Sequence, residues 1–493
     1  MRRGFGAAPP IVGVLGSHRG LIALTILAAS LRFPTLDVQS FWHDEAVTAA
    51  RLIRPGLLDT LRVIPDSEAT PPLYYMLAWA WSKLFGTGEV GLRSLSALAG
   101  VATVPVTYRA AADLVSRRGG LVAAALVATN PMLVWFSQEA RSYSLVVLLT
   151  ALSFLFFTRA LERSASGSLA GWAVSSMLAL ATHYFALFVV APEAIWLLIR
   201  ATHRRRATAA VGATAAAGLV VLPLAIYQAR DGKGSWIGEL PLGERVLGAI
   251  RTFLTGQADQ IELLAAAAAV LVVAGLALLA VRTNRVERRG GLLGLSIGVV
   301  ALALPLGLSA AGADYFLDKN LVPALVPLTV AVSAGLGAGR AGWVGLLPAT
   351  ALCGLFTLIS LLTATREDLQ RADWRGVAAA LGEARERRVI VAPQNADQPL
   401  GIYLPGARQA RDATTRTREV IVLGWVEPGA LAAPLPPTFN RTRPTGIAGF
   451  ETATFRASQP VELNLRDLSA TEVGAAAQGP AAILIQDPES QAG

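Results

Sequence analysis

Cysteine and charge are both scarce in this chain of 493 residues. The single cysteine, Cys353, excludes an intramolecular disulfide, so any domain outside a membrane depends on its own core, and redox chemistry is disfavoured. Charged residues make up 16% of the chain and hydrophobic residues 53%, with a mean hydropathy of +0.50. This balance excludes a soluble globular protein, and several apolar runs are long enough to span a bilayer. We interpret the chain as a polytopic membrane protein.

Histidine is scarce as well, with four residues in the chain. His43 has no second histidine at helical spacing and His183 is far away in sequence, which argues against a zinc site. The sequence indicates no metal ligand and no cofactor, and whether a divalent cation binds is left open. The net charge of +9 comes mainly from short arginine clusters between apolar runs, as the positive-inside rule predicts, so no nucleic-acid partner is needed.

The arginine clusters also decide the topology. Residues 73–85 are apolar but number only about 13, too few to span a bilayer. If this run is interfacial, every cluster lies in the cytoplasm. The clusters are Arg117–Arg118, Arg159 with Arg163, Arg200 with Arg204–Arg206, Arg282–Arg289, and Arg340. We predict a cytoplasmic amino terminus and about 11 spans, the first of them uncleaved. The spans lie near 20–36, 92–114, 119–136, 143–161, 168–183, 184–200, 207–227, 261–281, 291–312, 320–339 and 342–363.

This topology predicts that the tail lies outside a plasma membrane together with the loops 37–91, 137–142, 228–260 and 313–319. The tail has a different pattern from the rest of the chain: a helical run from Asp373 to Arg388 precedes short apolar strands bounded by turn residues. The strands are predicted at 389–391, 420–423, 450–456, 460–466 and 481–485. The expected fold is a mainly α membrane helical bundle (1–365) with a small extracytoplasmic α/β domain (366–493).

Two adjacent carboxylates, Asp44 and Glu45, follow the first predicted span in the sequence Trp42-His43-Asp44-Glu45-Ala46. Acids close to a span are usually functional, so this pair is the candidate reaction centre. Neighbouring side chains on a helix diverge by about 100°, which places them badly to flank one bond as an acid and a base. One carboxylate suffices if the leaving group is a phosphate, since that group departs as an anion.

A second polar group lies in the loop after the third predicted span, Trp135-Phe136-Ser137-Gln138-Glu139-Ala140-Arg141-Ser142-Tyr143. Arg93 and Lys319 stand at the outer starts of two other spans. Arginine suits a phosphate because its planar fork bonds two oxygens and keeps its charge, but an interfacial anchor is the alternative for each cation. Candidate substrate-pocket residues are His43, Gln138, Glu139, Tyr143, His183 and Tyr184.

In this order, these motifs resemble the membrane glycosyltransferases of the GT-C fold. The motifs are Trp42–Ala46, Pro71-Pro72-Leu73-Tyr74-Tyr75, Leu92–Gly100 beginning Leu-Arg-Ser-Leu, Asn130-Pro131 and Ser137–Tyr143. The chain is most similar to bacterial members of the protein O-mannosyltransferase group (family 39 type) and to lipid A aminoarabinose transferases. The likeness is clear over residues 20–200 and looser over 313–380.

The resemblance implies a polyprenyl-phosphate-linked sugar donor, an external active site and inversion at the anomeric carbon. By motif, it implies Asp44 as the base that activates the acceptor, Glu45 as its supporting partner, and Arg93 and Arg141 as donor-phosphate ligands. Many relatives have a histidine or another charged residue before the two prolines, where this chain has Thr70. Whether Glu68 substitutes is left open, as are the sugar and the glycan, lipid or protein acceptor.

Two other functions remain as alternatives. A transporter or flippase of a lipid-linked saccharide is expected to place ionisable or Gly/Pro-broken segments near the bilayer midplane, often in two similar halves. Here the charge is predicted on one face and halves are not evident. An inactive scaffold would leave the Asp44–Glu45 pair and Arg141 without a reason.

Overall fold

A computed structural model describes residues 11–163, 166–230, 237–238, 240–258, 260–424, 433–442, 445–469, 471 and 481–488. Within these ranges the chain forms two compact units. The helical unit consists of residues 1–36 and 53–370, and the C-terminal unit consists of residues 371–493 together with residues 37–52. The second unit therefore includes the segment that carries Asp44 and Glu45.

Helices make up most of the helical unit. They are α1 Ile11–Ser30, α3 Leu57–Ser67, α4 Leu73–Phe85, α5 Glu89–Leu114, α6 Arg117–Thr129, α7 Pro131–Ser137, α8 Tyr143–Arg163, α9 Ser166–Thr182, α10 Leu187–Arg200, α11 Arg204–Arg230, α12 Leu242–Thr255, α13 Glu262–Val281, α14 Arg285–Ala310, α15 Asp318–Leu321, α16 Leu325–Leu336 and α17 Gly342–Thr365. The short helix α2, His43–Val47, belongs to the C-terminal unit and continues as a π-helical turn, Thr48–Leu52.

Among the described residues, seven helices are long and apolar enough to cross a membrane, and α6 with α7 makes an eighth if the bent pair is one span. The predicted spans at 20–36, 168–183 and 184–200 correspond to shorter helices, namely the His18–Ser30 part of α1, Gly167–Thr182 and α10. The predicted multi-pass helical architecture is confirmed. The run at 73–85, predicted to be interfacial, is the 13-residue helix α4.

The predicted span 119–136 corresponds to α6 and α7, and it bends by 55° between the two helices. Pro131 lacks a backbone N–H and cannot continue the hydrogen bonds of α6. The Asn130 side chain instead accepts a bond from Leu133 N at 3.1 Å and begins a new helix with proline in its first turn. The bend sets the direction in which the chain enters the 138–142 loop.

The C-terminal unit is an α/β domain, as predicted. Its strands are β1 Arg388–Ala392, β2 Ala407–Gln409, β3 Thr414–Gly424, β4 Asn440–Arg441, β5 Thr445–Ile447, β6 Phe450–Asn464 and β7 Ala482–Gln486, and its other helices are α18 Trp374–Leu381, α19 Asp397–Tyr403 and α20 Leu465–Leu468. In the described part of the sheet the order is β2-β7-β1-β3-β6-β4, with β5 on β6. Strands β1 and β3 are parallel, and the other pairs are antiparallel.

Both faces of the sheet are buried at its centre, along β1 and the last part of β3. Alternate β1 and β3 residues pack against α18 and α19 on one face, through Ile390 and Ile421, and into a second cluster on the other, through Val389 and Val420. This explains the continuous apolar runs of both strands. Two predictions are corrected: 450–456 and 460–466 form the single strand β6, and the helical run to Arg388 ends at Leu381, before Gly382 with its positive φ of 61°.

Candidate active site

In the C-terminal unit, the segment that carries the two acids is bonded to residues more than 300 positions away in sequence. Ser40 Oγ accepts from Trp374 N at 3.0 Å and donates to Ala372 O at 3.1 Å. Phe41 N donates to the hydroxyl of Tyr403 at 2.7 Å. The backbone just before α2 is therefore attached to the start of α18 and the end of α19.

The two adjacent acids have different environments. Glu45 is completely buried, and its Oε2 lies 3.2 Å from Nη1 of Arg371, whose guanidinium also lies 5.5 Å from the centre of the Trp42 ring. Asp44 is half-buried, so part of its surface faces solvent. A buried acid beside a buried cation suits a positioning role, whereas a partly exposed acid is available to a substrate.

His43 lies on the same short helix and contacts the segment that follows strand β1. Its Nδ1 is 3.4 Å from Oδ1 of Asp397 and 3.3 Å from the carbonyl of Asn395. Burial lowers the pKa of His43, but the hydrogen bond that its ring donates to Asp397 and the charges of Asp44 and Asp397 outweigh this, so the pKa is raised above its usual value. The site chemistry thus includes a histidine that the neighbouring carboxylates favour in its charged form.

In the helical unit, Arg141 is bound by a carboxylate. Its Nη1 and Nη2 donate to Oε1 and Oε2 of Glu68 at 2.6 and 2.8 Å, and both side chains are buried. The Arg141 guanidinium also lies 5.9 Å from the centre of the Tyr75 ring, whose hydroxyl is 3.2 Å from Thr70 Oγ1. Glu68, rather than Thr70, therefore supplies the charge near the two prolines.

The other polar residues of this loop are packed around the Arg141 backbone and the turn after α9. Glu139 is buried, and its carbonyl accepts from Arg141 N at 2.8 Å. Tyr143 packs on His183, with ring centres 5.7 Å apart. Tyr184 donates to Gln228 Oε1 at 2.8 Å. The structure thus places Tyr143 and His183 of the predicted pocket in contact, in the same unit as the predicted phosphate ligand Arg141 and its partner Glu68.

Two predicted donor-phosphate residues, Arg93 and Lys319, lie at helix starts in the same unit. Arg93 is buried in α5 and its Nη1 donates to Leu36 O at 2.7 Å. Lys319 is half-buried in α15, directly after Asp318, which accepts a bond from Gln257 at 2.8 Å. Arg93 therefore also has the structural task of holding the end of the first predicted span.

Sequence reasoning missed two arginines. No sequence pattern indicates Arg371, because its ion pair with Glu45 joins residues 326 positions apart. Arg32 is completely buried and donates to Ala128 O at 2.7 Å and Val127 O at 3.2 Å. These are carbonyls at the end of α6 that Pro131 leaves without helical partners. The sequence feature that could have indicated Arg32 is its position at the end of an apolar run, upstream of an Asn-Pro break.

Gln138 completes this junction, since its Nε2 donates to Arg32 O at 3.1 Å and Leu31 O at 3.3 Å, and also to the Thr35 hydroxyl. This side chain thus ties the loop before Arg141 to the end of the first predicted span. Across the described ranges, no group of three or more His, Cys, Asp or Glu side chains is placed to hold a metal ion.

Comparison with known structures identifies the fold. The crystal structure of ArnT from Cupriavidus metallidurans bound to undecaprenyl phosphate matches with a TM-score of 0.51 and 12% identity, over 89% of this chain and 98% of that chain. The apo state of the same protein matches with a TM-score of 0.54 and 11% identity, over 90% and 98%. This chain has the GT-C fold of membrane glycosyltransferases.

The sequence comparison agrees with this assignment. The family model described as dolichyl-phosphate-mannose-protein mannosyltransferase matches residues 69–227, about a third of the GT-C chain. That range contains Arg93 and the Gln138–Tyr143 loop but neither of the two stretches, 37–52 and 371–493, that make up the C-terminal unit. No curated protein matches the sequence of the chain. The resemblance drawn from the motifs is confirmed.

Proposed function

We propose that this protein transfers a sugar from a polyprenyl-phosphate-linked donor to an acceptor on the extracytoplasmic face of the plasma membrane. The observation that carries the proposal is the partly exposed Asp44 beside the buried Glu45–Arg371 pair, within the fold of a protein crystallised with undecaprenyl phosphate. An oriented carboxylate of this kind suits a general base.

In the proposed reaction, the acceptor hydroxyl oxygen attacks the anomeric carbon of the sugar as the bond from that carbon to the donor phosphate breaks. The hydroxyl proton passes to Asp44, late in the step, when the forming bond has made the hydroxyl acidic. The polyprenyl phosphate leaves as an anion without a general acid, and attack from the opposite side inverts the configuration.

The donor phosphate is assigned to Arg93, Arg141 and Lys319. Glu68 accepts from both terminal nitrogens of Arg141 and so holds the guanidinium in one orientation, and the permanent charge of the guanidinium suits a phosphate. Glu45 is assigned a supporting role rather than a second acid. Tyr143, His183 and Tyr184 are assigned to the surrounding pocket, with Gln138, Glu139 and His43.

The test uses purified full-length protein in lipid nanodiscs with a panel of polyprenyl-phosphate hexoses and pentoses and with glycan, lipid and peptide acceptors. Mass spectrometry is expected to show a glycosylated product and free polyprenyl phosphate, and NMR is expected to show inverted stereochemistry. Movement of intact donor across sealed vesicles, without product from any pair, would favour a flippase instead. An alkaline phosphatase fusion at residue 375 tests the predicted external face, where it should be active.

A further inference from the structure

Within the C-terminal unit, residues after position 370 bond to segment 37–45 at several points, most of them just before α2. Gln39 Oε1 accepts from Arg371 N at 3.0 Å, and both terminal nitrogens of Arg375 lie 3.2 Å from Asp37 O. With the bonds to Ser40 and Phe41, the segment is held at four residues before α2 begins, through backbone atoms of two and side chains of the other two. Arg371 also contacts Glu45, on the helix itself.

His43, at the start of α2, also contacts the segment that follows strand β1. In this unit the chain leaves β1 through Asn395 and Asp397, and the ring of His43 contacts both. The unit therefore contacts α2 on the helix as well as just before it.

We propose that Arg371 is a positioning residue for the transfer reaction: through its ion pair with Glu45 it holds α2, and therefore Asp44, on the C-terminal unit. This inference rests on the proposed function for the role of Asp44. It assigns the tail domain a task in turnover, since Arg371 begins that domain and is far from the Asp44 motif in sequence.

The physical argument concerns orientation. Asp44 and Glu45 are consecutive, so a rotation of the short helix that moves one carboxylate moves the other. Glu45 is completely buried and Arg371 is largely buried, which makes their contact a strong orientational constraint on a helix of five residues. A displacement of about 1 Å of a reacting group can reduce turnover roughly 100-fold.

The first test is Arg371→Gln in the full-length protein. Turnover is expected to fall about 10- to 100-fold with the KM for the donor unchanged, because the base is misplaced while the donor ligands are intact. Arg371→Lys should recover part of the loss, since it keeps a cation near Glu45. Hydrogen–deuterium exchange of residues 39–47 should rise in Arg371→Gln, a readout that needs no activity.

A matched control is Arg418→Gln, which removes an exposed pair with Glu386 (3.1 Å) in the same unit and should leave turnover and exchange unchanged. If Arg371→Gln does not fold, Arg371→Met combined with Glu45→Gln removes the pair without leaving a buried charge, and it should fold but turn over slowly.

Wild-type turnover, or unchanged exchange over 39–47, in a folded Arg371 variant would overturn the positioning role. Absence of transfer by the wild-type protein would instead reject the proposed function, and the exchange experiment would still decide whether Arg371 holds α2.

Discussion

The helical unit and the C-terminal unit each bury an arginine beside a glutamate, but the two pairs differ in geometry. Arg141 donates both terminal nitrogens to the two oxygens of Glu68, at 2.6 and 2.8 Å. Nη1 of Arg371 lies 3.2 Å from Oε2 of Glu45, and the guanidinium lies 5.5 Å from the centre of the Trp42 ring. The first arrangement fixes the plane of a guanidinium, and the second fixes the position of a short helix. An arginine–glutamate pair therefore orients a cation in the helical unit and a carboxylate in the C-terminal unit.

The largest effect is expected in the C-terminal unit, at Asp44. Asp44→Asn keeps the shape and the hydrogen bonding of the side chain but removes the base, so turnover should fall about 100-fold or more while donor binding stays nearly intact. Single-turnover kinetics and donor binding in nanodiscs measure the two quantities separately.

The matched variant is Glu45→Gln, which should be milder because Glu45 only supports the helix. Near-normal turnover in Asp44→Asn together with inactive Glu45→Gln would reverse the roles of the two acids. It would also place the chemistry on the buried member of the pair.

An intermediate effect is expected in the helical unit, at the Arg141–Glu68 pair. A charge-assisted hydrogen bond contributes roughly 1.5–3 kcal/mol, so loss of Arg141 should weaken donor binding by about one to two powers of ten. Lysine should rescue poorly, because it lacks the fork. Equilibrium binding of a polyprenyl phosphate to the nanodisc protein measures this effect.

Because Arg141→Gln alone leaves the Glu68 carboxylate buried, the decisive variant combines it with Glu68→Gln. This double variant removes the ion pair without an unpaired charge, and it should fold. Weak donor binding in the folded double variant would support phosphate binding by Arg141. Normal donor binding would make the pair purely structural, and the comparison with Arg371 would then be one between two structural pairs.

The smallest effect is expected from the contact of His43 with Asp397. Because the pKa of His43 is raised, its contribution to stability is present below about pH 6.5 and is lost as the pH rises through the folded value. Burial raises the pKa of Asp397, but its bonds to His43 and Gln398 outweigh this and lower it, so its contribution is lost as the pH falls below about 4.

The stabilisation by this pair should therefore be greatest between about pH 4 and pH 6.5. A partly exposed pair contributes on the order of 0.5–1 kcal/mol, or about 1–2 °C in Tm. Thermal unfolding of wild type and of His43→Gln should differ at pH 5.5 and converge at alkaline pH, with the exposed His203→Gln as the control. An equal difference at every pH would show that His43 stabilises the unit by packing alone.

Sequence alone determined the membrane class, the helical architecture and the change to an α/β tail. These features depend on composition and on periodicity within one element, such as the continuous apolar runs of β1 and β3. The Asp44–Glu45 motif and the Gln138–Tyr143 loop were also evident, because their residues are contiguous. The bend between α6 and α7 was signalled by Asn130-Pro131, although the predicted span ran through it.

The tertiary structure alone decided the partners of these residues. Arg371 reaches Glu45 across 326 positions, Arg141 reaches Glu68 across 73, and Arg32 reaches the end of α6 across about a hundred. A buried charge needs a partner in space, but neither periodicity nor spacing along one chain specifies which distant residue supplies it. For that reason, the sequence identified the acidic segment 37–52 as a loop of the membrane domain, whereas folding made it part of the C-terminal unit.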